Sequence, residues 1–510
     1  METSPRPNSP PPPHPGTPLS RRPGYVVALL TLTSFLVEMG LTLNEVPSVS
    51  VVTALICSRY YNYEVPAEQL TEQECTQNTQ VVEEVNRFLM INTIISSILT
   101  LLVALAFAAA ADVYGRKRIF SFCILGMLLS NALSVLFARL VPSVSVESIW
   151  WANVAVLLGG GFRVAEALVF TMITDVADER WRTTWFQIAI CGILLAEILG
   201  SLLSGFLLGE SLWLPMYLGL VFLAAGQTLA FFIPETLHMR HLEQHRQHSP
   251  LATPPTSLST HIRSIWHSIK TAIPSLPHSG ILPLLPAASL VIPLGTTAMF
   301  TMIQALPTRY ATTFAQSSQY EALRGGTNLA VLLIILPLLS YHLRHHPILR
   351  RDALLNLGSS LFLVAGMLVI AAAPNLAAAL VGLVLFSLGA GVPALVRSII
   401  AQVVDRAHWG ALFGVLAVLE QLGGLVFSLV MAALLQRGLA EGGGGGSLGY
   451  PFWFAFAVLV IVCACSWFAR PRAPAGMMGE EDAVELTRAR GPGGGVERGA
   501  DGVDSAASRE

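Results

Sequence analysis

The stretch that decides the fold is "AFAAAADVYGRKRIF", residues 106–120. It closes an apolar run, because residues 88–111 contain no Asp, Glu, Lys or Arg, whereas Asp112 and the three cations at 116–118 follow at once. At about 1.5 Å per residue such a run is long enough to cross the roughly 30 Å hydrocarbon core of a bilayer. The stretch therefore predicts a membrane-spanning helix that ends in a positively charged turn.

The whole chain repeats this composition. Of its 510 residues 53% are hydrophobic and only 12% are charged, whereas soluble domains carry about 25% charged residues. Apolar runs of membrane-spanning length recur without the alternation that barrel strands would show. The sequence therefore predicts an all-α polytopic membrane protein, and no basic patch indicates a nucleic-acid partner.

Twelve transmembrane helices are predicted from the apolar runs and their Gly, Pro and charge boundaries. They lie near residues 25–55, 87–111, 119–140, 149–174, 184–208, 212–233, 283–307, 326–343, 353–372, 375–400, 409–436 and 450–469. The first run is too long for one upright span, so it must tilt, kink near Pro47 or extend beyond the bilayer.

A long polar segment divides these helices into two groups of six. The predicted organisation is a disordered cytoplasmic N-terminus (1–24), a six-helix bundle (25–234), a cytoplasmic linker (235–282), a second six-helix bundle (283–470) and a disordered cytoplasmic tail (471–510). Within the linker, "HIRSIWHSIKTAI" (261–273) predicts an amphipathic helix on the inner membrane surface. We interpret its histidines His238, His241 and His245 as solvated rather than metal-binding, and predict neither a metal nor a cofactor.

The Lys and Arg residues between helices predict the orientation. With both termini cytoplasmic, fourteen of these cations fall on the inner side and six on the outer side, namely Arg59, Arg87, Arg139, Arg309, Arg324 and Arg437. This asymmetry follows the positive-inside rule. We expect a multi-pass protein of the plasma membrane, and we expect it to be a monomer. Cys57 and Cys75 flank an outer loop, where a disulfide is permitted.

A faint internal duplication supports two parallel halves. With an offset of 227, "TDVAD" (174–178) falls on "AQVVD" (401–405), and both stretches join the fourth helix of a half to its fifth. Transporters built by duplication show this arrangement.

The motif after the second helix resembles that of major facilitator superfamily transporters. The superfamily pattern is Gly, three residues, Asp-Arg, one residue, Gly and then basic residues, and this chain supplies Asp112, Gly115, Arg116, Lys117 and Arg118. It departs from the pattern at Ala108 and Val113. The stretches "GGGFRVAEALVFTMITDVADERWRTTWF", "LWLPMYLGL" and "PETL" resemble those of fungal members.

The resemblance implies that this loop helps to close the cytoplasmic side of the transporter. Asp112 would meet the positive N-terminus of the eleventh helix near Trp409, and Arg116 or Arg118 would pair with Asp175. Each exposed pair would contribute about 0–1 kcal/mol, a small energy that suits a gate.

Ionisable residues within the bilayer are costly, and they indicate functional positions. On the first helix Thr31, Ser34, Glu38, Thr42 and Glu45 form a polar stripe at helical spacing. Glu38 and Glu45 are candidate proton carriers, the alternative being structural hydrogen bonds to a neighbouring helix.

The other helices carry further candidates for a substrate or proton pathway. Arg163 and Glu166 either neutralise each other, or Arg163 binds an anionic group of the solute and Glu166 responds to it. The seventh helix has a matching polar stripe. The stripe comprises Thr297, Thr301, Gln304 and Thr308; Glu197 on the fifth helix and Glu420 on the eleventh are additional candidates, and Arg397 is expected to reach the cytoplasmic surface.

These features favour a secondary active transporter that moves a small organic solute by alternating access, with proton coupling as one energy source. The chain contains no G-x-x-x-x-G-K-[ST] motif of a nucleotide-driven pump and no motif of a membrane-embedded enzyme. The alternative is a membrane sensor that retains the transporter fold without moving its ligand. The expected partners are a small-molecule substrate, membrane lipid and protons.

Overall fold

Helices of membrane-spanning length dominate the computed structural model, which describes residues 23–62, 71–141, 143–177, 182–236, 282–403, 409–441 and 446–469. Within these ranges eleven helices are long and apolar enough to cross a membrane. A shorter apolar helix, Leu214–Ala230, occupies the place of the predicted sixth span with 17 residues. The all-α membrane fold is confirmed, and the number twelve depends on this shorter helix.

We number the helices in chain order. The first group is α1 (Pro23–Tyr60), the short helix α2 (Glu72–Gln77), α3 (Thr79–Tyr114), α4 (Arg116–Leu140), α5 (Val146–Val176), α6 (Arg182–Glu210) and α7 (Leu214–Ala230). The second group is α8 (Leu285–Tyr310), α9 (Phe314–His342), α10 (Ile348–Ala372), α11 (Leu376–Leu388, continued by Val392–Val403), α12 (Trp409–Ala440) and α13 (Tyr450–Phe468). In α5 the first part, Val146–Leu158, is a 3₁₀ helix.

The two groups form two bundles, each with its own apolar core. Met172 and Leu223 are fully buried in the core of the first bundle, and Met367 and Phe452 are fully or almost fully buried in that of the second. The bundles meet mainly where α3 packs on α12 and α6 packs on α9. A space between them is therefore bounded by helices from both.

Helix α1 is one continuous helix of 38 residues with Pro47 inside it. At about 1.5 Å per residue it is roughly 57 Å long, so it extends well beyond the hydrocarbon layer. Extension beyond the bilayer was one of the three possibilities predicted from the length of this run.

Helix α9 begins twelve residues earlier than predicted, at Phe314 instead of residue 326. The polar sequence at its start predicts a loop, but a capping box begins the helix there. The Thr313 hydroxyl accepts a hydrogen bond from the Gln316 N–H at 3.2 Å, and the Gln316 side chain accepts one from the Thr313 N–H at 3.1 Å. Arg324 is consequently part of a membrane helix and not of an outer loop.

Several sequence predictions lie outside the described residues. They are the amphipathic helix of the linker, the three linker histidines, most of the N-terminal segment and the C-terminal tail. The boundaries of the five predicted segments stay predictions.

Candidate functional site

A cavity of about 300 Å³ lies between the two bundles. Four helices line it, α1 and α3 from the first bundle and α8 and α12 from the second. It reaches the middle of α8, because Thr297 is the thirteenth of the 26 residues of that helix. The lining residues are Glu45, Asn86, Leu89, Met90, Thr93, Thr296, Thr297, Phe300, Thr301, Gln304, Ser428 and Ala432.

Four of the site residues predicted from the sequence line this central cavity. They are Glu45 on α1 and Thr297, Thr301 and Gln304 on α8. The polar stripe of α8 thus faces the cavity over almost two turns. Not all of the polar stripe of α1 faces the central cavity, because Thr42 packs against Gly200 of α6. A Cβ added to Gly200 would lie 3.0 Å from the Cβ of Thr42.

Glu38 lies in a different place. It lines a small cavity of about 30 Å³ inside the first bundle, together with Ser34 and Glu166. The Ser34 hydroxyl is buried there without a hydrogen-bond partner among the described residues. Seven residues of α-helix separate Glu38 from Glu45, which corresponds to a rise of about 10.5 Å. The first helix therefore presents one carboxyl group to each of two cavities at different depths.

Glu197 belongs to an ionic cluster and does not line the central cavity. The Arg324 guanidinium on α9 forms a salt bridge with Glu197 on α6 and another, at 2.7 Å, with Glu321 on its own helix. Neither Arg324 nor Glu321 was predicted as a site residue, because both precede the predicted start of the eighth span. Their spacing of three residues, typical of helical ion pairs, was the available signal.

The remaining charged candidates are paired with each other. The Arg163 guanidinium lies 3.3 Å from the Glu166 carboxylate, one turn away on α5. Arg397 lies 2.8 Å from Glu420, so it links α11 to α12 instead of only reaching towards the membrane surface. Neither Arg163 nor Glu420 lines the central cavity.

Hydrogen bonds between the bundles lie on the predicted outer side of the central cavity. The Asn86 amide on α3 donates to the Ala432 carbonyl at 3.0 Å and to the Gln436 side chain at 2.8 Å, both on α12. The Gln77 amide at the end of α2 donates to the Pro307 carbonyl at 3.2 Å. These contacts join the two bundles on the predicted outer side.

The short helix α2 is tied to both bundles. Cys75 of α2 forms a disulfide with Cys57 near the end of α1, with the two Cα atoms 5.6 Å apart. The Glu72 carboxylate accepts a hydrogen bond from the Phe314 N–H at the start of α9. Burial raises the pKa of Glu72, and the bond from Phe314 opposes this rise. Helix α2 is thus covalently attached to the first bundle and hydrogen-bonded to the second.

A family model described as "Major Facilitator Superfamily" matches residues 83–428, more than half of the chain. The chain belongs to the major facilitator superfamily. Superfamily membership agrees with the expected fold and identifies the protein as a membrane transport protein rather than an enzyme.

Curated relatives of this superfamily protein are fungal. It is 27% identical over 456 residues to the MFS efflux pump atnC of Emericella nidulans, with 86% of each chain covered. It is 27% identical to the MFS-type transporter aprT of Aspergillus flavus, with 82% of this chain and 83% of the relative covered. The likeness to fungal members noted in the sequence is thereby confirmed.

Solved structures share the superfamily fold. The human organic anion transporter MFSD10 superposes with a TM-score of 0.58 at 19% identity, covering 88% of this chain and all of that one. A D-xylose-proton symporter superposes with a TM-score of 0.57 at 13% identity, covering 88% of this chain and 97% of that one. At such identities the likeness concerns the fold alone.

The loop motif of this superfamily member is built around Gly115. A left-handed backbone conformation favours glycine. Gly115 has a φ of +107°, and a Cβ at this position would lie 2.5 Å from the Glu235 carboxylate. That carboxylate accepts a hydrogen bond from the Arg116 N–H at 3.0 Å, at the N-terminus of α4. Glu235 belongs to the "PETL" segment, whose only signal in the sequence was its resemblance to fungal members.

Arg116 pairs with Asp175, one of the two pairings that the resemblance implied. The expectation of an exposed pair was wrong, because the two side chains are only 3% and 2% exposed. Both residues lie in the first bundle, joining the start of α4 to the end of α5, so the pair does not break when the bundles separate. Asp112 lies 3.2 Å from Arg116, and Arg118 is exposed; their roles in a gate, including the contact of Asp112 with α12, stay predictions.

The second bundle contains a buried acidic group that was not predicted. Asp352 near the start of α10 accepts hydrogen bonds from Ser398 at 2.9 Å and Gln402 at 2.8 Å, both near the end of α11. Its neighbour Arg351 entered the sequence analysis only as one of the fourteen cations on the inner side. A single Asp beside two arginines gives no signal of burial, so only the structure identifies this contact.

Proposed function

We propose that this protein is a secondary active transporter that exports a small organic solute by alternating access. The observation that supports the proposal most directly is the central cavity, since it takes its lining from both bundles. When two bundles rock about such a space, a bound solute is exposed first to one side of the membrane and then to the other. The outward direction is taken from relatives that are named efflux pumps.

The orientation is also a proposal. The excess of cations on one side supports cytoplasmic termini, and with them a cavity that is closed to the exterior by the contacts of Asn86, Gln77 and Glu72. This arrangement corresponds to an inward-facing transporter ready to take up solute from the cytoplasm. Residence in the plasma membrane would let it release the solute from the cell.

Glu38 is our candidate for the proton carrier. It is half-buried, it makes no salt bridge with a described residue, and the unpartnered Ser34 hydroxyl lines the same small cavity. A carboxyl group that is not held in a salt bridge can take up and release a proton as its cavity opens. Arg163, the cation that acts on Glu38 electrostatically, is paired with Glu166. Its separation from the central cavity would let proton and solute bind at different places on one helix.

The experiment compares cells that lack the protein with cells that express wild type, Glu38→Gln or Glu441→Gln. Metabolites inside the cells and in the medium are profiled by mass spectrometry. We expect cells with wild type to move a solute into the medium. Cells with Glu441→Gln, a control change on the predicted outer surface, should do the same, whereas cells with Glu38→Gln should accumulate the solute inside.

Two outcomes would contradict the proposal. Export by Glu38→Gln at the wild-type rate and with the wild-type pH dependence would remove Glu38 as the carrier. A solute that binds purified protein but is never moved by proteoliposomes would instead favour the sensor interpretation.

A further inference from the structure

We propose that the central cavity recognises solutes that present hydrogen-bond donors and positive charge, above all a protonated amine held by Glu45. The inference rests on the proposed function, because it takes the central cavity as the solute site. The evidence for it is the hydrogen bonds that the lining residues already make within the protein. These bonds determine whether the polar atoms that remain available to a solute are donors or acceptors.

Four of the five lining hydroxyl groups, all but that of Thr297, have used their protons. Thr93, Thr301 and Ser428 donate to carbonyl oxygens of their own helices at 2.9, 2.8 and 2.7 Å. Thr296 donates in the same way to the carbonyls one turn earlier, at 3.1 Å. A hydroxyl group has one proton and two lone pairs, so each of these oxygens can only accept from a solute.

Asn86 is limited in the same way. Its amide nitrogen has two protons, and these are donated to the Ala432 carbonyl and the Gln436 side chain. The Asn86 carbonyl oxygen remains as an acceptor. Since these two bonds also join the bundles, the closure of the cavity and its acceptor character depend on the same side chain.

Glu45 gives the cavity an acidic group. Its side chain is exposed and forms no salt bridge with a described residue, and no Lys, Arg or His is among the residues that line the cavity. Arg324 interacts electrostatically with Glu45, but its hydrogen bonds go to Glu197 and Glu321. Three carboxyl groups therefore stand near one guanidinium, so acidic groups outnumber basic ones next to the cavity.

The apolar part of the lining indicates the body of the solute. Leu89, Met90 and Phe300 contribute aliphatic, thioether and aromatic surface. Thr297 and Gln304 also line the cavity, and their side-chain donors are not used in the described hydrogen bonds. They can therefore donate to a neutral oxygen elsewhere on the solute. A compact amine with an aromatic or alkyl body fits these features, whereas an organic anion would meet acceptors and a carboxyl group.

The test uses three probes of similar size: phenethylamine, phenethyl alcohol and phenylacetate. Binding of tritiated phenethylamine to purified full-length protein in detergent is measured directly, and the other two serve as competitors. Because a hydrogen bond to a charged group is worth about 1.5–3 kcal/mol, we expect the amine to bind at least about tenfold more tightly than the alcohol. Phenylacetate should compete more weakly than either.

Glu45→Gln and Glu441→Gln form a matched pair, the same chemical change inside and outside the cavity. Glu45→Gln should reduce the affinity for phenethylamine about tenfold or more and leave that for phenethyl alcohol nearly unchanged. Glu441→Gln should alter neither. Retained binding of the alcohol shows that Glu45→Gln is folded, and Glu45→Asp, which keeps the charge, should recover part of the amine affinity.

The inference is overturned if phenylacetate competes as well as the amine, if Glu45→Gln leaves the ratio of amine to alcohol affinity unchanged, or if phenethylamine fails to bind at millimolar concentration. Measuring flux in proteoliposomes distinguishes failure of the amine hypothesis from failure of the proposed transport function. Export of an anionic solute without amine binding would keep the transporter and refute the solute class. Amine binding without flux would keep the solute class and refute transport.

Discussion

Replacing Asp175 by Asn should destabilise the first bundle strongly, although the change removes only one charge. Arg116 and Asp175 are 3% and 2% exposed, so the guanidinium would remain buried after its partner is neutralised. Arg116 keeps the Thr171 carbonyl at 3.1 Å and the Asp112 carboxylate at 3.2 Å. Breaking a buried ion pair by removing one partner costs about 3–5 kcal/mol, and these remaining contacts favour the lower end, about 3 kcal/mol.

The assay is heating of detergent-solubilised protein, followed by size-exclusion chromatography of what remains monodisperse. We call the temperature at which half of the monodisperse protein is lost the half-loss temperature. For a cooperative unit of about 200 residues, a loss of 1 kcal/mol in the free energy of unfolding lowers this temperature by roughly 2–4 °C, so Asp175→Asn should lower it by about 6–12 °C. Glu441→Gln is the control, because its partner Arg437 is 73% exposed. Such surface pairs often contribute nothing measurable.

A double replacement separates the cost of a buried charge from a loss of packing. Arg116→Met combined with Asp175→Leu removes both charges, and apolar replacement of a buried pair is often neutral or stabilising. We therefore expect the double variant to be more heat-resistant than Asp175→Asn alone. Equal, small shifts for Asp175→Asn and Glu441→Gln would refute the reasoning, as would a double variant that loses more than the single one.

Three further predictions concern the loop motif and the outer helix. Gly115→Ala should lower the half-loss temperature because Gly115 has a φ of +107° and lies against a carboxylate, whereas Gly358→Ala, with open space around it, should not. Cys57→Ser with Cys75→Ser opens a link between residues separated by 18 positions. Such a link is worth about 3 kcal/mol, so its loss should increase hydrogen exchange in α2, as should a reducing agent on wild type. Burial raises the pKa of Glu72, so its contact with the Phe314 N–H should be most stable at low pH and should weaken as the outer pH rises through that pKa. Hydrogen exchange in α2 should increase accordingly, and Glu72→Gln should abolish this pH dependence.

The membrane fold was predictable because hydrocarbon thickness and the length of an apolar run are directly related. The prediction failed where a membrane helix is polar. The first part of α9 was taken for a loop because polar residues in a span are rare, yet Gly205 of α6 lets the Ala315 carbonyl of α9 approach to a point where a Cβ would be only 2.7 Å away. Close packing between helices hides these polar residues from lipid, and no single-sequence pattern reveals such packing.

The site was predictable where the signal was periodic. Thr297, Thr301 and Gln304 recur at helical spacing and all line the central cavity. Single charges were less informative, because the sequence does not say which charges are neutralised by a neighbour. Glu197 was selected as a pathway group on its own, whereas the structure pairs it with Arg324, a residue that the predicted helix boundary had excluded.

The duplication in the sequence becomes meaningful when the two buried contacts are compared. The offset of 227 places Gln402 on Asp175, and each of them meets a residue near the start of the third helix of its bundle, Asp352 and Arg116 respectively. The two halves thus keep a polar contact at the same place with different chemistry: in the first half the third span supplies the cation of an ion pair, and in the second it supplies a carboxylate that accepts from a neutral amide. A contact that is retained while its chemistry differs points to a need for the link itself. Because each link ties the third helix to the fourth within one bundle, both bundles are held rigid at the predicted inner side, which is what rocking of one bundle against the other requires.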